Sequence, residues 1–271
     1  MSKKLAFGLM RLPLKKDSDD STNIDYEIVN QMVDRFLEEG FTYFDTAAPY
    51  HRQYSEIAFR ECVAKRYPRT AYTITNKLSF FMVNQKEKLE EFFNGQLERC
   101  GVEYFDYYLL HAMNKKTLDL AEEIDAFDFV VQKQKEGKIK HIGFSFHDTA
   151  EVLEEILSKH PEMEYVQLQL NYIDWENKDV QSRACYEVAL KYNKKILVME
   201  PVKGGLLANL PEDAEQAFRT VEPNLSIASW AVRYVASLPN VVMVLSGMST
   251  LEQMEDNISY MKNSTRTGTR T

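Results

Sequence analysis

Five chemically distinctive residues recur along the chain at nearly equal intervals, and this spacing restricts the fold more than any other feature. Arg11, Asp45, Lys77, His111 and Ser145 lie 34, 32, 34 and 34 residues apart. Each ends, or directly follows, a short apolar run of the kind that forms a buried strand. An interval of about 34 residues accommodates one strand, one helix and two short loops. The repeat therefore predicts successive β/α units of equal size.

Eight short runs are predicted as strands, and longer segments with helical spacing separate them. The runs are Leu5–Arg11, Thr42–Asp45, Ala71–Asn76, Tyr104–Leu110, Lys140–Ser145, Tyr165–Leu170, Lys195–Glu200 and Val241–Ser246. The 271 residues divided by eight give the same interval of about 34, and a closed ring of eight such units often has about 250 residues. The sequence thus predicts an α/β protein with a single (β/α)8 TIM barrel domain over residues 1–262.

Three of the intervening segments carry apolar residues at intervals of three and four, as amphipathic outer helices do, and a glycine lies at or just after the end of each. They are Asp25–Gly40, Asn84–Cys100 and Leu118–Glu136. Residues 209–224 form the least regular stretch, and we expect a helix-bearing excursion there between strands seven and eight. Residues 263–271 are polar and lack aromatic side chains, so we expect a disordered tail or a cut chain end.

The composition disfavours several classes of function. Lys and Arg number 33 against 41 Asp and Glu, a net charge of −8, which repels nucleic acids and anionic membranes. The run Leu5–Leu12 is short and contains Arg11, so no signal or membrane segment is predicted. The cysteines Cys62, Cys100 and Cys185 are odd in number and lack metal-ligand spacing. This pattern predicts reduced, buried thiols and a cytoplasmic protein.

Four polar residues are predicted to share one site, because the carboxyl ends of barrel strands meet at one face. Asp45, Lys77 and His111 fall at or just past the ends of strands two, three and four, and Tyr50 lies in the loop after Asp45. A tyrosine donates a proton near neutral pH when a cation such as Lys77 stabilises the phenolate. Asp45 would hold that ammonium in an ion pair, and His111 would hydrogen-bond a substrate oxygen. The set is suited to polarising a carbonyl group.

Each of these residues also has a simpler interpretation when taken alone. Asp45 is suited to capping the next turn, and His111 follows an apolar run and is suited to a satisfied position at the edge of the core. Their common location at successive strand ends favours the shared site. A metal-dependent barrel hydrolase is disfavoured, because neither His141 nor His147 pairs with His111 at metal-ligand spacing.

Several motifs in chain order resemble those of the aldo-keto reductases, and together they cover nearly the whole sequence. Gly40–Tyr50 resembles the family's first signature, Thr75–Lys77 its lysine strand, Tyr107–His111 its histidine strand, and Gly137–Ser145 the segment that leads into strand five. The resemblance implies an eightfold barrel and hydride transfer between a nicotinamide cofactor and the carbonyl of a small-molecule substrate. It implies Tyr50 as acid/base, supported by Asp45, Lys77 and His111.

The resemblance also implies a set of cofactor-binding positions. Ser145 and Gln167 would hold the nicotinamide carboxamide, and residues 200–206 resemble a pyrophosphate loop, where glycines let the backbone approach phosphate. Residues 246–250 resemble an adenosine-phosphate site at a helix N-terminus, which favours an anion. The implied residues are Met10, Arg11, Ser145, Gln167, Pro201, Val202, Lys203, Gly204, Gly205, Ser246, Gly247, Met248, Gln253 and Asn257, with no metal. The alternating Gln167, Gln169 and Asn171 are also compatible with a packed polar layer that binds no ligand.

The chain departs from the family pattern at several positions. Phe146 replaces an Asn that many members carry beside the serine, and Met199 replaces the Tyr that commonly stacks on the nicotinamide. Met248 and Gln253 stand where many members have Lys and Arg at the 2′-phosphate site. The expectation of NADP(H) rather than NAD(H) therefore comes from the family alone.

Finer matches at Gly143–His147 and Met199–Gly205 resemble one branch of the family, which commonly carries a C-terminal ferredoxin-like iron–sulfur segment. No cysteine follows Cys185, so we expect no such cluster in this chain, and a separate iron–sulfur or electron-transfer partner is compatible with the pattern. The alternative function is a nicotinamide-binding sensor or electron-transfer subunit. Candidates for the substrate pocket, equally suited to packing or surface positions, are Trp175, Tyr172 and His51.

Overall fold

Parallel strands in chain order form the centre of the computed structural model, which describes residues 3–262. They are β1 Leu5–Gly8, β2 Tyr43–Asp45, β3 Thr73–Ser79, β4 Phe105–Met113, β5 Ile139–Phe146, β6 Tyr165–Gln169, β7 Lys195–Met199 and β8 Val241–Ser246. Each pairs with its neighbours along the chain, and β1 closes the ring against β8, with Ala6 opposite Leu245. The predicted TIM barrel is confirmed. The tail expected at residues 263–271 lies outside the described residues.

Helices cover the outside of the barrel. Among the described residues they are α1 Tyr26–Glu38, α2 Tyr54–Phe59, α3 Leu89–Cys100, α4 Lys115–Glu123, α5 Ala126–Lys135, α6 Ala150–Lys159, α7 Ser182–Lys191, α8 Glu212–Val221, α9 Ile227–Ser237 and α10 Leu251–Met261. The first predicted helix is confirmed, because Asp25 accepts hydrogen bonds from the first-turn N–H groups of Glu27 and Ile28. The predicted excursion between β7 and β8 contains α8, also as expected.

Two predicted helices have different boundaries in the structure. The segment Leu118–Glu136 holds two helices, because Asp125 adopts a left-handed φ of 57° that separates α4 from α5. The segment Asn84–Cys100 becomes α-helical only at Leu89, after an extended Gln85 and a 3-10 turn. A left-handed backbone costs energy in any residue with a Cβ and cannot continue an α-helix.

Three predicted strand ends are wrong as well. The first strand stops at Gly8, and Arg11 closes a 3-10 turn rather than ending the strand. β3 and β4 each continue two residues past Lys77 and His111, so both side chains project from within a strand. A side chain held inside a hydrogen-bonded ladder is more firmly oriented than one in a loop.

The apolar core has two layers, one inside the barrel and one between the strands and the helices. The interior is filled by inward-pointing side chains of Ala6, Tyr43, Leu109, Tyr165, Leu197 and Leu245. A larger core lies between strands and helices, where the rings of Phe7, Phe36 and Phe44 pack together. β5 approaches β6 so closely that a Cβ at Gly143 would lie 2.2 Å from the carbonyl oxygen of Tyr165. Only glycine fits there.

The three thiols belong to this core. Cys62, Cys100 and Cys185 are free and buried, as predicted, and burial raises the pKa of both Cys62 and Cys185 to about 12. Such thiols stay protonated at physiological pH and are poor nucleophiles. No helix within residues 3–262 is both long enough and apolar enough to span a bilayer. The cytoplasmic location stays a prediction.

Candidate active site

A cavity of about 670 Å³ opens at the carboxyl ends of the strands. Its volume is in the range typical of small-molecule sites. All predicted site residues except Lys203 line it: Met10, Arg11, Asp45, Tyr50, Lys77, His111, Ser145, Gln167, Pro201, Val202, Gly204, Gly205, Ser246, Gly247, Met248, Gln253 and Asn257. The barrel therefore brings together residues that are widely spaced in the sequence.

Lys77 lies at the centre of the polar cluster. Its Nζ is 2.6 Å from Asp45 Oδ1, 2.9 Å from the carbonyl oxygen of Thr46 and 3.4 Å from Tyr50 Oη. Burial lowers the pKa of the Lys77 ammonium, but the attraction of Asp45 and Tyr50 outweighs that effect and leaves the pKa above its ordinary value. A positive charge is thus held beside the Tyr50 hydroxyl.

The phenol of Tyr50 keeps its proton in this environment. Burial raises its pKa, and the nearby charge of Lys77 opposes the rise. Burial also raises the pKa of the Asp45 carboxyl, again opposed by Lys77, and Asp45 Oδ2 has no hydrogen-bond partner among the described residues. The cluster therefore combines a protonated phenol with a cation able to stabilise the phenolate.

The turn after Tyr50 is strained. His51, Arg52 and Gln53 adopt left-handed φ angles of 48°, 52° and 75°, which cost energy in residues that carry a Cβ. His51 secures the turn, because its Nε2 accepts the N–H of Leu12 at 3.1 Å and its Nδ1 donates to the carbonyl oxygen of Ser21 at 2.6 Å. His51 holds the backbone rather than lining the cavity.

His111 faces the same cavity as Tyr50. The two ring centroids are 6.1 Å apart in an edge-on arrangement. Burial, the charge of Lys77 and the proximity of His147 lower the pKa of His111 to about 3. The imidazole is therefore neutral at physiological pH and carries one N–H.

Besides Asp45 Oδ2, two further buried oxygens on the cavity wall lack hydrogen-bond partners within the described residues: Gln167 Oε1 and Asn257 Oδ1. Because buried polar atoms are nearly always hydrogen-bonded, unpaired acceptors in a cavity indicate a ligand with donors. Nearby, Ser145 Oγ accepts the N–H of Ala112 at 2.8 Å, which leaves its hydroxyl proton for another acceptor. Gln167 and Ser145 together can accept from and donate to a carboxamide.

The loop after β7 exposes backbone to the cavity. Gly204 and Gly205 have φ angles of 64° and 99°, and a Cβ at Gly205 would meet no atom within 4 Å. Arg11 extends over this loop, with its Nη1 3.5 Å from the carbonyl oxygen of Gly204. Open backbone beside a guanidinium is suited to a phosphate group.

Lys203 does not line the cavity, although the family resemblance implies that it binds the cofactor. Its ammonium pairs with the carboxylate of the buried Asp174. Gln169 and Asn171 also donate to Asp174, at 3.1 and 2.9 Å. The polar-layer interpretation therefore describes Gln169 and Asn171, whereas Gln167 lines the cavity.

At its far end the cavity meets the start of α10. Thr250 caps this helix by accepting the N–H of Gln253, and Gln253 Oε1 accepts the N–H of Ser249 at 2.7 Å. Glu252 and Asp256 also line this end. Within residues 3–262, the Lys and Arg side chains that line the cavity are Arg11 and Lys77, and neither belongs to α10.

Sequence reasoning missed several residues of the site. His147 and Glu200 line the cavity, and both had a readable signal: His147 directly follows β5, two positions after Ser145, and Glu200 directly follows β7. Glu56, fully buried, accepts hydrogen bonds from Asn76 and Gln96 at 2.8 and 3.0 Å behind Lys77. Its role has no local sequence signal, since its partners come from other elements.

The remaining candidates for the substrate pocket lie away from the cavity. Trp175 packs its ring against Tyr186 and Tyr234, with centroids 5.4 and 5.8 Å apart. Tyr172 packs beside Phe218. Within residues 3–262, no group of three or more His, Cys, Asp or Glu side chains is placed to hold a metal ion.

Comparisons with known proteins identify the family and the fold of the chain. A model of the Aldo/keto reductase family matches residues 4–267. The uncharacterized oxidoreductase YqkF of Bacillus subtilis is 23% identical over 257 residues, which are 84% of this chain and 80% of that protein. The holo form of the aldo-keto reductase AKR11C1 from Bacillus halodurans superimposes with a TM-score of 0.73 at 22% identity, over 95% of this chain and 86% of that one. An aldo-keto reductase from Klebsiella pneumoniae in complex with NADPH gives a TM-score of 0.72 at 15% identity, over 96% and 86%. At these identities the two structural matches show a shared fold.

Proposed function

Since the chain belongs to the aldo/keto reductase family of oxidoreductases, we propose that it transfers a hydride from a nicotinamide cofactor to a small carbonyl compound, reducing an aldehyde or ketone to an alcohol. The observation that carries the proposal is the contact of 3.4 Å between Tyr50 Oη and Lys77 Nζ on the cavity wall. A phenol next to a buried ammonium is a proton donor whose conjugate base is stabilised in advance.

Tyr50 donates its proton to the substrate oxygen in this scheme. Its raised pKa keeps the phenol protonated at neutral pH, and Lys77 stabilises the negative charge that develops as the proton leaves. Asp45 holds Lys77 at 2.6 Å and fixes the direction of the ammonium. His111, neutral and beside Tyr50, offers the same oxygen a hydrogen bond.

A nicotinamide cofactor supplies the hydride when it is bound. Ser145 and Gln167 would hold its carboxamide, because they present a free hydroxyl proton and a free oxygen. Gly204, Gly205 and Arg11 would hold its pyrophosphate. Asn257 Oδ1, which has no hydrogen-bond partner among the described residues, would accept a hydrogen bond at the adenosine end.

NADP(H) is the proposed form of the cofactor. Two structural neighbours from Klebsiella pneumoniae support it, one described in complex with NADPH and the other with NADP and acetate. Among the described residues, no Lys or Arg of α10 lines the cavity. We therefore expect only weak discrimination between NADPH and NADH, since Lys and Arg usually supply the contacts to a 2′-phosphate.

Replacing Tyr50 with Phe tests the proposal. The variant should lose at least about 100-fold in kcat across a panel of aldehydes and ketones, and its Kd for NADPH by fluorescence titration should change by less than about twofold. Tyr54→Phe is the matched control, because Tyr54 is 43% exposed at the start of α2 and does not line the cavity. It should leave both quantities unchanged. Wild-type turnover in Tyr50→Phe would exclude Tyr50 as the donor.

A further inference from the structure

A buried hydroxyl contacts the imidazole that faces the cavity. Ser79 Oγ lies 2.7 Å from His111 Nδ1. The contact is built into the barrel, since Ser79 and His111 are directly opposite each other in the register of β3 and β4. Ser79 is fully buried, so solvent does not compete for this hydrogen bond.

The direction of this hydrogen bond decides what His111 can do. A neutral imidazole carries one proton, and the lowered pKa of His111 keeps it neutral. If Nδ1 carries the proton, it donates to Ser79 and leaves Nε2 as a bare acceptor. If the Ser79 hydroxyl donates to Nδ1, the proton of His111 is on Nε2.

Burial selects between these two arrangements. Within residues 3–262, His111 is the hydrogen-bond partner of Ser79 Oγ. A proton on Nδ1 would leave the hydroxyl hydrogen of Ser79 buried without an acceptor, and an unsatisfied buried donor is destabilising. If the Ser79 hydroxyl donates to His111 Nδ1, its hydrogen has an acceptor. The second arrangement is therefore favoured before any ligand binds.

We propose that Ser79 is a positioning residue that fixes His111 as the Nε2–H tautomer, so that the imidazole presents a hydrogen-bond donor to a carbonyl oxygen in the cavity. The consequence for turnover rests on the proposed carbonyl reduction. A carbonyl oxygen only accepts hydrogen bonds, and a bare Nε2 would face it lone pair to lone pair. Ser79 thus acts on the substrate through His111, without touching it.

Nitrogen-15 NMR of the wild-type protein tests the tautomer directly and needs no substrate. Two-bond proton–nitrogen correlations distinguish the two tautomers, and the variant His111→Gln identifies the His111 signal among the five histidines. The Nε2–H pattern is expected in the wild type, and a mixed or Nδ1–H pattern in Ser79→Ala. An Nδ1–H pattern in the wild type would overturn the inference.

Kinetics of matched variants test the consequence. Ser79→Ala should lower kcat for carbonyl reduction by about 10-fold, the effect of one lost hydrogen bond of about 1.4 kcal/mol, with the Kd for NADPH unchanged. Ser79→Thr keeps the hydroxyl and should restore the tautomer and most of the rate. A wild-type kcat in Ser79→Ala despite a changed tautomer would overturn the assigned role. If the wild type binds NADPH but reduces no carbonyl, the proposed function fails, while the NMR result still decides the tautomer.

Discussion

Lys77 Nζ and Asp45 Oδ1 lie 2.6 Å apart, and their side chains are only 1% and 3% exposed. The two residues project from adjacent strands, so the barrel itself brings the charges together. Because burial removes both charges from most contact with solvent, each depends on its partner for stabilisation, and Lys77 also donates to the carbonyl oxygen of Thr46. The pair in turn places a fixed cation next to Tyr50.

Breaking this ion pair should be more destabilising than removing it completely. We expect Asp45→Asn to lower the free energy of unfolding by about 3 kcal/mol, because it leaves a buried ammonium without its counter-ion. The double variant Asp45→Asn/Lys77→Met should recover part of that loss. Urea denaturation of the single and double variants measures the coupling. A loss below about 1 kcal/mol in Asp45→Asn would show that the pair is effectively solvated.

The neutral, partly buried state of His111 predicts a dependence of stability on pH. Its pKa is about 3 in the folded protein and about 6.5 in the unfolded chain. Between these values the unfolded chain binds a proton that the folded protein does not, so stability falls as the pH drops below about 6.5. His111→Gln does not titrate and serves as the control. In urea denaturation between pH 6 and pH 4, the wild type should lose about 1 kcal/mol per pH unit more than the variant. Equal slopes would contradict an imidazole that stays neutral in the folded protein.

The glycine loop after β7 offers a comparison within the chain. Gly205 and Gly137 both have positive φ angles, 99° and 73°, and a Cβ at either would meet no atom within 4 Å. Alanine should therefore cost about 1–2 kcal/mol of stability at both positions. Only Gly205→Ala places its methyl group in the cavity, and it should weaken NADPH binding by about 10-fold or more, a free-energy change of about 1.4 kcal/mol. Equal NADPH affinities of the two variants would remove this loop from the cofactor site.

A cation introduced at the start of α10 should change the cofactor preference. Gln253→Arg adds a positive charge to the cavity wall next to Glu252 and Asp256. Among the described residues, no Lys or Arg of α10 lines the cavity. We expect the ratio of NADPH to NADH affinity to rise by about 10-fold, because a guanidinium binds phosphate strongly. Gln253→Met, similar in size and uncharged, should leave the ratio unchanged. An equal gain for both cofactors would place the 2′-phosphate elsewhere.

The barrel and most of the site could be predicted because their signals are local and periodic. A strand and a helix of ordinary length give the interval of about 34 residues, and a polar side chain near each strand end belongs to the shared face. Asp45, Lys77 and His111 could be assigned on that basis, although β3 and β4 extend further than their apolar runs indicate.

Other features depend on contacts between distant residues. The helix break at Asp125 involves neither glycine nor proline, so no local signal marks it. No local pattern marks Glu56 as buried, because its hydrogen-bond donors Asn76 and Gln96 come from other elements. The family resemblance implies that Lys203 binds the cofactor at the glycine loop, but Asp174, 29 residues earlier in the chain, pairs with its ammonium.

Transfer of deuterium tests the central claim most directly. The wild-type protein is incubated with NADPH that carries deuterium at the hydride position and with a panel of aldehydes and ketones, and the alcohols are analysed by mass spectrometry. The account predicts deuterium on the carbinol carbon of at least one product, and loss of that product in Tyr50→Phe. Saturable NADPH binding with no deuterated alcohol from any member of the panel would contradict carbonyl reduction, and would favour a nicotinamide-binding sensor or electron-transfer subunit.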